Sequence, residues 1–328
     1  MAATLSNSPI RLLTADDLGI GIAAATAGHA SNRPDEPEVP ITDPIAVEAL
    51  WLLERFGGII YTGPPGTGKS WTANKVAKAL TANDVARVRY VQFHPSYQYE
   101  DFMQGFRPRE GGGFKMEDGH FVRMCKAAHK DAAHRYVLVI DELSRGDCGR
   151  IFGEALTYLE TSKRGLPFKL ASGEEISVPS NLVVLATMNP LDRGVDEVDA
   201  AFGRRFAQVS MEPSRNTLQK FMEISELPES LAEGLLRFFD FINKRARTNP
   251  HAAVGHVFFR DVSDAESLGA VWKYQLRFML EKAFRLDQQG FREVQGRWQA
   301  IFPPGDSASN AEAEVEASAS GQADTEQS

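Results

Sequence analysis

The sequence predicts an α/β chain, with a parallel sheet packed between helices and then a smaller helical lid domain. Three observations predict it. Short apolar runs at 58–61, 88–93, 136–140 and 182–186 alternate with helical patterns. Runs of that length separated by helices suggest strands buried on both faces. The first run leads into a glycine-rich loop and then a helix face, Ala73, Val76, Ala77 and Leu80. After Pro213 the strand signals mostly stop. Leu218, Phe221 and Met222, then Leu231, Leu235, Phe238, Phe239 and Ile242, then Leu268, Trp272, Leu276 and Leu280 recur at helical spacing.

Length and composition bound the reading. A chain of 328 residues, 43% hydrophobic and 24% charged, holds a substantial core in one large or two moderate domains. No apolar run approaches the roughly 18 residues that span a bilayer. The apolar stretch 18–28 follows Asp16 and Asp17 rather than a basic segment, so it does not read as a secretory leader. Two cysteines, Cys125 and Cys148, lie far apart without metal-ligand spacing, which excludes a disulfide scaffold and fits a reducing cytoplasm. Of the net charge of −8, six units fall in 303–328, where Asp306, Glu312, Glu314, Glu316, Asp324 and Glu326 meet no Lys or Arg. That tail has nothing to bury and is expected to be disordered. The body is near neutral, so no bulk basic charge demands nucleic acid. The expected organisation is 1–40 as N-terminal segment and linker, 41–212 as the α/β domain, 213–302 as the helical lid and 303–328 as the tail.

The strongest chemical signal is Gly63-Pro64-Pro65-Gly66-Thr67-Gly68-Lys69-Ser70, the pattern of a phosphate-binding loop between a strand and a helix. Its glycines let backbone N–H groups converge on phosphate oxygens, and the following helix adds its positive end. Lys69 is placed to reach the β and γ phosphates and Ser70 to hold Mg2+. A Gly/Pro-rich turn matching by chance is the bland alternative; the strand before and the helix face after argue against it.

Two further strand ends and one later segment carry polar groups. The run 137–140 delivers Asp141 and Glu142 at the carboxyl edge of the predicted sheet, where open α/β sheets bind ligands. Asp141 suits Mg2+, directly or through water, and Glu142 suits a base that orients and deprotonates attacking water. The run 183–188 ends in Asn189, which alone reads as a turn residue and beside the other two motifs reads as a hydrogen-bonding partner of the water or γ-phosphate. The segment 199–206 carries Arg204 and Arg205. One of them reads as a solvated surface group. The other suits an arginine finger, with Arg205 preferred and Arg204 in support, and an arginine supplied in trans requires a ring. The aromatics Phe93, Tyr97, Tyr99 and Phe102 read first as packing and second as a subunit- or pore-facing loop. His94 reads as a hydrogen-bonded structural residue rather than a metal ligand, because no second ligand lies at suitable spacing.

Taken together these residues resemble the AAA+ ATPase module, in the branch that includes McrB, the GTPase motor of modification-dependent restriction systems. The resemblance reaches beyond the phosphate loop. Phe93-His94-Pro95-Ser96-Tyr97-Gln98-Tyr99-Glu100-Asp101-Phe102 is similar to that branch's aromatic segment, and Gly105, Arg107 and Pro108 follow. Asp118-Gly119 with the residues 121–125, then Asp141-Glu142 with Arg145-Gly146 and the residues 151–154, resemble its next blocks. It runs from about residue 59 to 206 and continues weakly to Gly255-His256 and the helix of Trp272. Two positions depart from the pattern. Pro190 stands where the branch has Thr in its Asn-Thr-x-Asp signature, and Ser144 stands where Asn precedes the Arg. Asp192 keeps the signature's acid, which the resemblance implies positions catalytic water or the neighbouring subunit.

What the resemblance implies is an Mg2+-dependent motor that hydrolyses ATP or GTP in a homo-oligomeric ring, a hexamer in this family. It would drive a McrC-like nuclease or other effector on DNA in a restriction or defence system. The base identity stays open, since the branch favours GTP and the wider superfamily ATP. No DNA-reading domain is expected in the roughly 40 residues before the motor. No Glu-x-Lys or Asp-x-Lys tripeptide occurs, so the usual two-metal nuclease triad cannot be assembled with lysine; DNA would be read and cut by partners. Two alternatives remain: a MoxR-like chaperone remodelling protein, and a nucleotide-switched scaffold with little turnover.

Overall fold

The structure, a computed structural model, describes residues 38–191 and 202–302. Its strands are β1 (Gly58–Thr62), β2 (Val88–Gln92), β3 (Gln104–Pro108), β4 (Phe114–Asp118), β5 (Tyr136–Asp141), β6 (Pro167–Lys169), β7 (Glu175–Ser177), β8 (Leu182–Met188) and β9 (Phe206–Ser210). Five of them form one parallel sheet in the order β2-β5-β8-β1-β9. The four runs read from the sequence are its inner strands and one edge. The other edge, β9, was not anticipated: Phe206-Ala207-Gln208-Val209-Ser210 is buried only at its start and lacks the continuous apolar run of a central strand. Two antiparallel hairpins, β3–β4 and β6–β7, also lie outside the sequence expectation.

The pleat sends alternate side chains to opposite faces. On one face Ile60, Leu138, Ile140, Val184 and Ala186 meet Phe102, Phe121, Phe152 and Phe206. These come from the short helix α3 (Tyr99–Phe102), α4 (His120–Lys130), α5 (Cys148–Phe152) and the start of β9. On the other face Ile59, Tyr61, Val139 and Leu185 pack on α1 (Pro44–Leu53) and α2 (Lys69–Leu80). The face of α2 expected from Ala73, Val76, Ala77 and Leu80 is the face that is buried.

After one more short helix, α6 (Ala155–Tyr158), and β9, the chain is helical throughout: α7 (Arg215–Ile224), α8 (Glu229–Arg245), α9 (Ala265–Val271), α10 (Arg277–Ala283) and α11 (Gln288–Gln299). Leu235, Phe238, Ile242, Leu276, Leu280 and Val294 share one core. Trp272 and Trp298 stack there with ring centroids 4.9 Å apart. The repeat read through Trp272 and Leu276 is real, but a π-helical turn at Trp272–Leu276 interrupts it between α9 and α10. Among the described residues no helix is long and apolar enough to cross a membrane.

Candidate nucleotide site

The glycine-rich loop joins β1 to α2 at the carboxyl edge of the sheet. Gly66 and Gly68 adopt φ of 74° and 86°, a region that favours glycine. Space adds to the requirement at Gly66, where a Cβ would come within 2.7 Å of the Phe258 ring. Pro64 and Pro65 offer no N–H, so the loop's donors begin at Gly66 and run through Thr67, Gly68, Lys69 and Ser70 into the first turn of α2. That is a helix N-terminus of the kind that binds anions. Thr67 Oγ1 donates to the Pro64 carbonyl at 3.0 Å. Lys69 Nζ donates to the carbonyls of Gly63 and Pro64 at 2.8 and 2.9 Å. The ammonium thus closes over its own loop, and an incoming phosphate competes with two carbonyls for it.

The acids meet this loop from the middle of the sheet. Ser70 Oγ donates to Asp141 Oδ1 at 2.9 Å, across 71 residues of sequence. Thr187 Oγ1 donates to the same carboxylate oxygen, and the Glu142 N–H donates to Thr187 Oγ1 at 3.2 Å. Thr187, the next-to-last residue of β8, therefore ties both acids together. A hydroxyl and a carboxylate converging at hydrogen-bond distance form an all-oxygen donor pair of the kind a hard divalent cation takes alongside substrate phosphates. Glu142 sits in the left-handed region with φ 56° and ψ 46°, a strained backbone for a non-glycine residue of the sort that gathers at functional sites. Its carboxylate accepts from Arg145 Nε at 3.0 Å. Arg145 and Thr187 were not singled out individually from the sequence; Arg145 appeared only within a resembling block.

The remaining expected groups fall around this centre. The Asn189 side-chain oxygen accepts from the Leu191 N–H at 3.2 Å, closing an Asx turn at the end of β8. Asp192 lies outside the described residues. Arg204 is exposed and Arg205 is buried. Both precede β9, whose first residue pairs with Gly58 at the start of β1. They stand about 20 Å, six strand residues, from the loop that begins at Gly63. Neither reaches the phosphate site of its own chain.

The helical part touches the loop directly. Val257 N–H donates to the Gly66 carbonyl at 2.9 Å. A Cβ on Gly255 would lie 2.0 Å from the Gly66 carbonyl carbon, so only glycine permits this approach. His256 is buried, and its Nδ1 accepts from the Ser214 N–H at 3.2 Å, just before α7. Burial holds that imidazole below its ordinary 6.5. Gly255-His256, faint in the sequence, marks this clamp. Beside it a cavity of about 1000 Å³ opens between Gly63 and Pro64, the end of β8, and Asn243, Lys244 and Arg247.

The aromatic segment packs rather than projects: Phe93 and Phe102 are fully buried and Tyr97 and Tyr99 partly so. His94 corrects the expectation. It is exposed and meets Tyr97 edge-on at 5.6 Å, with no side-chain hydrogen bond among those of the described residues. Both cysteines are free and buried, and burial pushes each thiol up to about 12.

A phosphate loop, a strand-borne Asp-Glu pair and a strand-end Asn on a parallel sheet with a helical extension define a P-loop NTPase domain of the AAA class. Residues 58–206 match the family described as AAA domain (dynein-related subfamily). The chain is 37% identical over 195 residues to the type IV methyl-directed restriction enzyme EcoKMcrB subunit of Escherichia coli (strain K12), covering 57% of this chain and 42% of that protein. It is 28% identical to the type II restriction enzyme BsuMI component YdiS of Bacillus subtilis (strain 168), covering 58% of this chain and 67% of that one. Residues 58–206 thus carry an AAA domain, and the chain is similar over part of its length to McrB and to a second restriction-system component. The match spans about two-fifths of the McrB subunit's length.

Proposed function

We propose that this chain is the Mg2+-dependent, ATP- or GTP-hydrolysing motor subunit of a restriction system, working as a hexameric ring that drives a McrC-like nuclease or other effector on DNA. The observation that carries the reading is the hydrogen bond from Ser70 Oγ to Asp141 Oδ1 at 2.9 Å. It brings the loop hydroxyl and the strand-end carboxylate to one point beside Lys69, as a cation shared with the terminal phosphates requires. Mg2+ bound there would neutralise charge on those phosphates. Residues Gly63 to Ser70 cradle the phosphates, Glu142 takes the proton from the attacking water, and Asn189 with Asp192 aligns it. Lys69 and Glu142 both hold internal partners. This supports slow turnover until nucleotide and partner displace them.

The distance between Arg204–Arg205 and their own loop supports a finger acting on the neighbouring subunit of a ring. Arg205 is the sequence's preference, whereas its burial favours exposed Arg204 for reaching another subunit. The restriction role rests on the names of the two relatives. The test is turnover of ATP and GTP side by side, with and without Mg2+ and the product of the adjacent gene. Mg2+-dependent release of phosphate from at least one of them, stimulated by the neighbour, is expected. Release from neither sinks the motor reading.

A further inference from the structure

The phosphate site has three defined sides. Asp141 and Thr187 close the end where the terminal phosphate would lie. The lid segment covers the loop at Gly66 and Gly68, where Phe258 and Val257 stand against it. Pro64 and Pro65 deny donors to the side that opens on the 1000 Å³ cavity. The donors lead instead into the first turn of α2, and there, next to Ser70, stands Trp71.

Trp71 is 56% exposed. Its setting is ordered. Lys75, one turn on, holds its ammonium 5.2 Å over the indole centroid. The same ammonium pairs with Asp43 Oδ2 at 2.8 Å. Asp43 in turn caps α1, its Oδ1 accepting from the Ile45 N–H at 3.0 Å. A cation tied to two helices thus stands over one face of the indole, and more than half of the residue is open to solvent. A flat, electron-rich surface fixed beside a phosphate cradle is a stacking platform.

We propose that Trp71 is the nucleobase platform of this site, the base of the bound nucleoside triphosphate stacking on the open face of its indole. The inference rests on the NTPase reading above and adds the substrate contact that the motifs leave open. The larger ring of a purine covers more of the indole than a pyrimidine does, so ATP and GTP are favoured over CTP and UTP.

The test uses the full chain, its intrinsic tryptophan emission, and two probes: GTP or ATP, and inorganic tripolyphosphate, which has the phosphates without a base. Nucleotide should change the emission, and tripolyphosphate should compete for the loop without changing it. Trp71→Ala should weaken nucleotide binding by about 10- to 100-fold, the usual cost of a lost base–aromatic stack, and leave tripolyphosphate affinity unchanged. Trp71→Phe keeps a ring, so it should lose less affinity while abolishing the emission change. Trp51→Phe, at an exposed tryptophan on α1, should alter neither. Unchanged nucleotide affinity in Trp71→Ala overturns the platform while leaving the NTPase reading intact; the base then belongs in the cavity beside α8. Equal weakening for tripolyphosphate also overturns it, because the indole would then be supporting the loop. Wild-type protein that binds neither probe overturns both readings at once.

Discussion

Ser144 shows how much one position departs from its family pattern. Its hydroxyl is buried in the turn that follows Glu142 and has no hydrogen-bond partner among the described residues. The resembling branch carries a longer amide there, able to reach partners that a serine cannot. A buried hydroxyl without a partner costs about 1–3 kcal/mol. Ser144→Ala should therefore raise the melting temperature by about 2–4 °C, and a lower melting temperature would show that the hydroxyl does find a partner. The neighbouring Arg145–Glu142 pair is half exposed, so its attraction is worth no more than about 1 kcal/mol. It holds Glu142 lightly, and substrate can displace it. At this scale the sequence was legible where a motif has fixed spacing: Gly63 through Ser70, Asp141 and Glu142 all converge. It was silent on Thr187 and on the half-buried Arg164, whose guanidinium donates to the carbonyls of Gly57, Leu159, Pro179 and Leu182 and is pushed down to about 10 by desolvation. Apart from Leu159, their partners lie fifteen or more residues away, and no local pattern encodes such a partner.

Among the elements, the contact between the lid segment and the phosphate loop matters most. Gly255 and Gly66 meet backbone to backbone, and the Val257 N–H closes the contact. Neither side has a flexible atom to yield. Gly255→Ala must push the lid off the loop, at a cost of about 1–3 kcal/mol of strain. Nucleotide affinity should fall at least about tenfold, with a lower melting temperature; normal values for both would mean that the clamp plays no part in binding. The central strands were readable because burial on both faces leaves only apolar choices, as in β8, buried at all seven positions. β9 was not, because an edge strand needs only one partner and tolerates Gln208 and Ser210. The β3–β4 hairpin was missed for a related reason. Its strands Gln104–Pro108 and Phe114–Asp118 are short, half polar, and joined by three glycines with positive φ. Such a segment reads as loop until its two halves are seen to pair.

For the whole molecule, the separation of Arg204 and Arg205 from their own loop makes a ring the arrangement that gives either arginine a phosphate to act on. Arg205→Ala subunits, and Arg204→Ala subunits in parallel, should bind nucleotide and hydrolyse about 10³-fold more slowly if that arginine is the finger. Mixed with Lys69→Ala subunits, which keep both arginines, the finger mutant should regain part of its activity. Rings that form on mixing yet stay inactive would remove that arginine from a role between subunits. The alternation of strands and helices, and the shift to helices after Pro213, were legible across the molecule because periodicity survives without knowledge of contacts. The cavity and the clamp were not, since both arise where distant segments meet. The central claim is that Asp141, Glu142 and the phosphate loop form a hydrolytic site. Phosphate release by Glu142→Gln, set against nucleotide binding by the same variant, tests it most directly. The amide keeps the shape and cannot take a proton, so binding should stay within a few-fold of wild type while release falls by about 10² or more. Release at the wild-type rate by a variant that binds normally would contradict the account.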